Sequence, residues 1–404
     1  MQYLKGLLWL VFSCLIFSGC VPLEEQLRYK PGSAEPVFIG LVLPLSGPDS
    51  EYGERMLNGA LLGAEMLNSG RGHFGRRVEV MAFDSGSSAE GAAAAFEKAV
   101  NVGAIGIVGG YSTVEAGGMT SLAAKLRVPL VIPMATGNDT VINPNPFVCR
   151  AVFTDRQQSE MIAGYLKYYR RTKRLAVTAA AEPEALYSRN VAGEVTAAFK
   201  KLGGGTVVLR EIKKEQAEKV LREITDWMPD AVLLPFEGKT AAHYYKLLRR
   251  FGYQGLICGP DSWDERAFFQ ELEGLKNPGN SFYTGFFNHE ATHTEFENFR
   301  KNFRKKFYYQ PESCEIQTYD ALNLLLTGFG NNADTLKKFQ KNWRSMRKYT
   351  GAAAVYTMGR SNEIDRTIYI NRVGKASFDK NKFEPKNIIG LQYSRLKVYA
   401  VDED

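Results

Sequence analysis

Four groups of side chains have the types and spacing to do chemistry. His289-Glu290-Ala291-Thr292-His293 matches H-E-x-x-H, in which two imidazoles one helical turn apart hold zinc and the glutamate activates water. Ser112-Thr113 stands where an apolar run, 105–108, gives way to a helical pattern at 116–126, so backbone N–H groups at the start of that helix would face an anion. Asp261, in Gly259-Pro260-Asp261, follows a strand-like run and offers a fixed negative charge, and Asp155 offers a second one. Donors on one side and a carboxylate on the other are what a dry cleft needs to hold a zwitterion, whose two charges must both be paired once water is excluded.

The zinc reading requires its motif on a helix. Thr294 and Glu297 instead form a capping-box pattern that starts a helix after His293 and leaves the motif in a loop. The chain has 4 His, none beside a candidate nucleophile, and Gly109-Gly110 ends a strand without the spacing of a Walker or dinucleotide motif. No catalytic residue, metal or cofactor is therefore expected, and the chain reads as a binding protein rather than an enzyme.

The elements that must position these groups alternate along the chain. Runs 37–43, 78–83, 105–108, 130–132 and 147–152 read as strands, separated by helical patterns at 56–67, 91–101 and 116–126. A second series has strands at 175–179, 205–211, 231–235 and 255–258, with helices at 191–201, 217–227 and 240–251. Two doubly wound α/β units with parallel sheets follow, and ligands bind in the loops at the strand ends of such units. Helical patterns at 295–307 and 318–329 come next, and 388–400 reads as a further strand or edge cover.

Leu43-Pro44-Leu45-Ser46-Gly47-Pro48, Tyr52-Gly53, Asn58-Gly59-Ala60 and Leu67-Asn68 resemble the opening of type I periplasmic binding proteins of the Leu/Ile/Val-binding family. The likeness continues through Asp84, Gly109-Gly110-Tyr111-Ser112-Thr113, Ile132-Pro133-Met134-Ala135-Thr136, Tyr187, Gly259-Pro260-Asp261 and Tyr319-Asp320-Ala321. It implies two lobes joined by a three-segment hinge: 37–152 with 285–360, and 153–284 with 361–404. It also implies a ligand site of Tyr52, Ser112, Thr113, Ala135, Thr136, Asp155, Tyr187 and Asp261. Thr113 and Thr136 supply hydroxyls, Asp261 or Asp155 meets an ammonium, and Tyr52 and Tyr187 wall the ligand, with help from Tyr111. The implied function is capture of an amino acid or related polar solute for an ABC permease. Tyr187-Ser188-Arg189 and Phe236-Glu237-Gly238 depart from the family pattern, so leucine-like specificity does not carry over. The alternative on the same scaffold is a lipoprotein acting through protein partners, such as an activator of peptidoglycan synthesis.

Lys5 precedes an uncharged run, 6–17, too short to span a bilayer, so residues 1–19 read as a secretory signal. Phe17-Ser18-Gly19-Cys20 resembles a bacterial lipobox, which implies a lipid on Cys20, a tether over 20–36 and a place in the cell envelope, facing the periplasm or exterior. Cys149, Cys258 and Cys314 read as buried free thiols, with pairing of two of them open to an exported chain. The net charge of +7 is modest, and its densest runs, 300–306 and 337–348, interleave aromatics as the solvated backs of core helices do. Nucleic acid is excluded as a partner outside the cytoplasm. Contact with anionic lipid headgroups or a cell-wall partner stays open.

Overall fold

The computed structural model describes residues 26–138, 145–182, 185–273, 275, 279–289, 291–346, 348–358 and 364–373, with the backbone of 389–394 and 397–400. The expected signal segment and Cys20 lie outside the described residues.

Strand β1 (Val37–Leu43) is apolar on both faces and nearly all buried, the pattern of a central parallel strand. It pairs in parallel with β2 (Val78–Asp84) and β3 (Gly106–Gly109), and the sheet runs β2-β1-β3-β4-β5 through β4 (Leu130–Ile132) and β5 (Val148–Arg150). Helices Ser50–Ser69, Ala89–Asn101 and Thr113–Leu126 make the crossovers. Strand order reverses beside β1, so the loops after β1 and β3 diverge and open a crevice at the strand ends.

The second sheet repeats this plan with β6 (Arg174–Ala180), β7 (Thr206–Ile212), β8 (Ala231–Leu233), β9 (Leu256–Gly259) and β10 (Ser281–Gly285), all parallel in the order β7-β6-β8-β9-β10. Helices Leu186–Lys201, Ala217–Trp227 and Gly238–Arg250 connect its strands. The expected α/β class with two doubly wound lobes is the observed one. The second sheet is extended by antiparallel strands: β13 (Ile364–Arg372) pairs with β10, β11 (Tyr349–Thr350) and β12 (Val355–Met358) join through β13, and β14 (Ile389–Ser394) and β15 (Lys397–Ala400) form a hairpin beyond it.

Where the chain passes between the lobes, one side chain ties stretches that are far apart in sequence. Arg366, 2% exposed, donates to the Ala151 carbonyl at 2.9 Å and to the Phe286 carbonyl. Its guanidinium lies 5.7 Å from the Phe153 ring, which stacks on Phe286 at 5.0 Å. Residues 349–358 belong to both sides of this crossing. They pair into the second sheet, while the N–H groups of Ala352 and Ala353 and the Tyr356 hydroxyl all donate to Asp320 on helix Ser313–Phe329.

Three local expectations are corrected. Helix Leu186–Lys201 begins five residues before the apolar periodicity, because its polar first turn carries Tyr187 and Ser188 toward the β6 end, where the Ser188 hydroxyl accepts the Ala180 N–H at 3.0 Å. The Thr294–Glu297 capping box is not formed. The helix already includes Thr294, His293 is its cap residue without a side-chain bond, and Glu297 pairs with Arg300 at 2.7 Å. The segment expected to be a tether is packed from Gln26 onward: Leu27 and Tyr29 are buried, and Tyr29 stacks on Phe329 at 5.0 Å. Burying each such side chain is worth about 1.5–3 kcal/mol, enough to dock a short segment.

Helices Ser50–Ser69 and Ser313–Phe329 approach until Gly59 touches backbone, where a Cβ would fall 2.1 Å from the Glu315 carbonyl oxygen. Since neither helix can give way without moving its sheet, Gly59→Ala is expected to destabilise the chain by about 1–3 kcal/mol in urea denaturation. Unchanged stability would show that this contact is not tight.

Candidate ligand-binding cleft

At the β1/β3 switch point, Tyr52 from helix Ser50–Ser69 stacks on Tyr111 from the loop after β3, centroids 4.6 Å apart and planes 12° from parallel. Beside them Ser112 caps helix Thr113–Leu126. Its side chain accepts the Glu115 N–H at 3.2 Å, and its own N–H donates to Glu115 Oε2 at 3.0 Å. That reciprocal box uses the Ser112 N–H, so the expectation that it points at an anion is corrected. Among the described residues, the N–H groups of Thr113 and Val114 are the ones this helix start leaves open. Thr113 Oγ1 accepts the Gly137 N–H at 3.2 Å, which keeps the hydroxyl proton available to a ligand oxygen. Gly137 is required there, since a Cβ would meet Thr113 at 2.5 Å.

Ala135 and Thr136 are buried at the end of the first sheet, and Thr136 is turned toward the second lobe. Its carbonyl accepts the Asp155 N–H at 2.9 Å and its hydroxyl bonds the Asp155 carboxylate. Asp155 opens helix Asp155–Gly164, capped by Thr154 and Gln157. Burial raises its pKa, against the pull of the Thr136 and Gln158 hydrogen bonds and the Arg150 charge.

Asp261 lies past the end of β9, 9% exposed. The Tyr187 hydroxyl donates to its Oδ1 at 2.6 Å, so the structure brings these two predicted residues together. Gln158, fully buried, organises the floor: its Nε2 donates to Asp155 at 3.0 Å, while its Oε1 accepts the Asp261 N–H at 3.1 Å and the Thr284 hydroxyl at 2.9 Å. Burial, helped by the Asp155 charge, pushes Asp261 up to about 7. The site thus holds a costly buried carboxylate that a cation would relieve.

The sequence reading missed the loop that follows. The Tyr52 hydroxyl donates to Glu265 Oε2 at 2.6 Å across the lobes. Arg266 pairs with Glu312 at 2.7 Å, and Glu312 also binds Arg55 at 2.5 Å. Asp264, between Asp261 and Glu265, accepts from His289 at 2.8 Å and from the Ser313 hydroxyl at 3.1 Å. The run Asp261-Ser262-Trp263-Asp264-Glu265-Arg266 carried a signal, since its charges follow a strand end already marked as a site. Gln158, three residues after Asp155, carried none beyond its spacing.

The H-E-x-x-H residues go elsewhere. His289 holds Asp264, whereas His293 Nε2 contacts the Gly351 carbonyl at 3.0 Å, and both precede the helix; Glu290 lies outside the described residues. At the departures from the family pattern, Ser188 and Phe236 turn inward, and Glu237 is exposed at the start of helix Gly238–Arg250. Cys149, Cys258 and Cys314 are buried and form no disulfide among the described residues.

Residues 36–377 match the periplasmic binding protein family. The chain belongs to that family. Family membership bears out the sequence resemblance and places the chain among extracytoplasmic solute-binding proteins rather than enzymes. It is 31% identical over 156 residues to the Leu/Ile/Val-binding protein BraC3 of Rhizobium johnstonii, covering 38% of this chain and 42% of that one. Such matches span about half the length, or less, of the curated relatives concerned. The chain superposes on a branched-chain amino acid transporter substrate-binding protein of Streptococcus pneumoniae in complex with isoleucine, with TM-score 0.72, 20% identity and coverage of 83% of this chain and 96% of that one. It also superposes on a solute-binding protein of an ABC transporter from Rhodopseudomonas palustris in complex with 3,4-dihydroxybenzoic acid, with TM-score 0.69, 18% identity and coverage of 88% and 99%. At these identities the two superpositions establish the fold alone.

Asp261 keeps its proton up to about pH 7 in the folded periplasmic binding protein, against 3.8 when unperturbed. The folded state therefore loses stability as pH rises from about 4 through 7. Ligand-free Asp261→Asn should be more stable than the parent at pH 8, by up to about 4 kcal/mol, and equal to it near pH 4. Thermal denaturation across pH measures this, and a variant less stable at pH 8 would contradict it.

Proposed function

We propose that this chain captures a small zwitterion, an amino acid or a close relative, between its lobes and hands it to an ABC permease. The observation that carries the reading is Asp261, a buried carboxylate held by Tyr187 and raised in pKa by burial and the nearby Asp155 charge. An ammonium placed there would be paired by Asp261, with Asp155 close by. A carboxylate would meet the Thr113 hydroxyl and the N–H groups of Thr113 and Val114, where the helix dipole favours negative charge. Tyr52 and Tyr111 supply a flat apolar wall, and Tyr187 closes the opposite side. Ser112, Ala135 and Thr136 shape the cleft; Ser112 through its cap and Thr136 through Asp155. The lobes that close are 37–152 with 285–360 and 153–284 with 361–404, strands 349–358 lying at their boundary because they pair into the second sheet, and a ligand touching both favours the closed form.

Support comes from family membership and from the amino-acid-binding relatives. The protein-partner alternative draws no support from them. The isoleucine and dihydroxybenzoate complexes of fold neighbours show what those proteins bind, and Glu265 makes this cleft more acidic than an aliphatic side chain needs. We place the chain in the cell envelope, with residues 1–19 removed and Cys20 lipidated.

Calorimetry against a panel of free amino acids tests the first part. At least one should bind, and Asp261→Ala should weaken it by about 2–5 kcal/mol; unchanged affinity would remove Asp261 from the site. Affinity should also fall on acidification below pH 7, by up to about tenfold per unit, because the ammonium must then displace a proton from Asp261. A flat pH profile would count against that role. For the anchor, metabolic labelling with a radioactive fatty acid should mark the parent and not Cys20→Ser, and equal labelling would refute it.

A further inference from the structure

The packed N-terminal segment converges on an unusual turn. Gly70-Arg71-Gly72-His73-Phe74-Gly75-Arg76-Arg77 leaves helix Ser50–Ser69 and bends back on itself, with a bridge between His73 and Arg76. Phe74 takes φ +50°, a conformation that bulky residues avoid, and stands 65% exposed at the tip. The turn is rigid beneath it: His73 is buried, contacts the Gly330 carbonyl at 2.7 Å, and meets the Phe74 ring edge-on at 4.9 Å. An exposed ring held on a braced, strained turn points to a partner surface rather than to packing.

The N-terminal segment lies against this turn. Tyr29 contacts the His73 ring at 6.1 Å and donates to the same Gly330 carbonyl, while Arg76 covers the Tyr29 ring at 5.0 Å and donates to the Lys30 carbonyl. Gln26 bridges Thr335, the cap residue of helix Leu336–Ser345. Only five residues separate Gln26 from Cys20, so the two are at most about 20 Å apart when extended. A lipid on Cys20 therefore holds this part of the first lobe at the bilayer.

Its charge suits that place. Arg28, Lys30 and Arg71 are exposed around the turn. Lys337, Lys341 and Arg344 follow at spacings of four and three along the helix, a single exposed stripe opposite the buried Phe339 and Trp343. The acids nearby are in part engaged, Glu79 with Arg77 and Asp334 with Lys338, while Glu35 is exposed. We infer that the face formed by the Phe74 turn, residues 26–30 and the basic stripe of helix Leu336–Ser345 docks on an anionic lipid surface, Phe74 entering the interface and the cations meeting headgroup phosphates. The anchored chain would then present a fixed face to the membrane instead of swinging on a tether. This rests on the proposed lipidation of Cys20.

The test uses the full chain, purified from bacterial membranes and reconstituted in phosphatidylcholine vesicles with or without phosphatidylglycerol. An environment-sensitive fluorophore is placed at Phe74→Cys or, as a control on the second lobe, at Met228→Cys, itself 71% exposed. The folded domain's own thiols are buried and escape the label. The Phe74 fluorophore should be quenched by spin-labelled lipid when phosphatidylglycerol is present, and high salt should relieve it. Each of Lys337→Gln, Lys341→Gln and Arg344→Gln should lower the docked fraction's equilibrium constant about fivefold, the effect of about 1 kcal/mol per charge. Equal quenching at both positions, none at either, or indifference to phosphatidylglycerol would overturn the inference. Mass spectrometry of the mature N-terminus reports lipidation separately, so loss of the anchor and loss of the docking face are distinguishable.

Discussion

The two lobes depend on how their crossings are bound together, and that rests on the buried guanidinium of Arg366. From β13 it gathers the carbonyls of Ala151 and Phe286, and the Phe153–Phe286 stack fills the space beside it. A buried cation is tolerable only where its charge is answered. The answer is Asp320, whose pKa burial raises but which Tyr356, two backbone N–H groups and the Arg366 charge pull back. The Tyr356 ring lies between the two, 5.2 Å from the guanidinium. Tyr356 thus links the two charges, bonding Asp320 through its hydroxyl and facing the Arg366 guanidinium with its ring.

The charges between the lobes are arranged unequally. Arg55 and Arg266 both pair with Glu312, which links the lobes through opposite charges. Within the cleft, Asp261, Asp155 and Glu265 carry raised pKa values, chiefly from burial, with hydroxyls and amides rather than cations as their main partners. The lobes touch through Tyr52–Glu265, and the floor around Asp261 holds two buried carboxylates, Asp261 and Asp155, answered by hydroxyls and amides. Stability is sacrificed where binding is gained, the usual relation between a strained site and its ligand.

The sequence made the layered architecture legible because parallel strands buried on both faces leave continuous apolar runs, as in β1, and helices over them leave a 3.6-residue period. Element ends were less legible. The first turn of helix Leu186–Lys201 is polar because Ser188 serves the β6 end, so no apolar period marks it. Among candidate site residues, Tyr187 and Asp261 meet directly, and Thr113 keeps an unspent hydroxyl proton. Ser112 turned out to be a cap because Glu115, three residues on, reaches back to it, and a capping box and an anion site share one sequence signature. Glu265 and Gln158 acquire their meaning only from partners 213 and 103 residues away, Tyr52 and Asp261, and local pattern holds no record of such a pairing.

A carboxylate in a cleft becomes specific through what stands beyond the shared recognition groups. Tyr187 with Asp261, and Thr113 at its helix start, can serve the common part of any amino acid. The side chain of such a ligand would then meet the Tyr52–Tyr111 stack and the Glu265 carboxylate held against it. A π-face flanked by a carboxylate favours cationic or hydrogen-bond-donating groups over aliphatic ones, since an aliphatic group would desolvate Glu265 with nothing in return. Glu265 is already bonded by Tyr52, so under the proposed binding mode a ligand that competed for it would also have to break this inter-lobe contact.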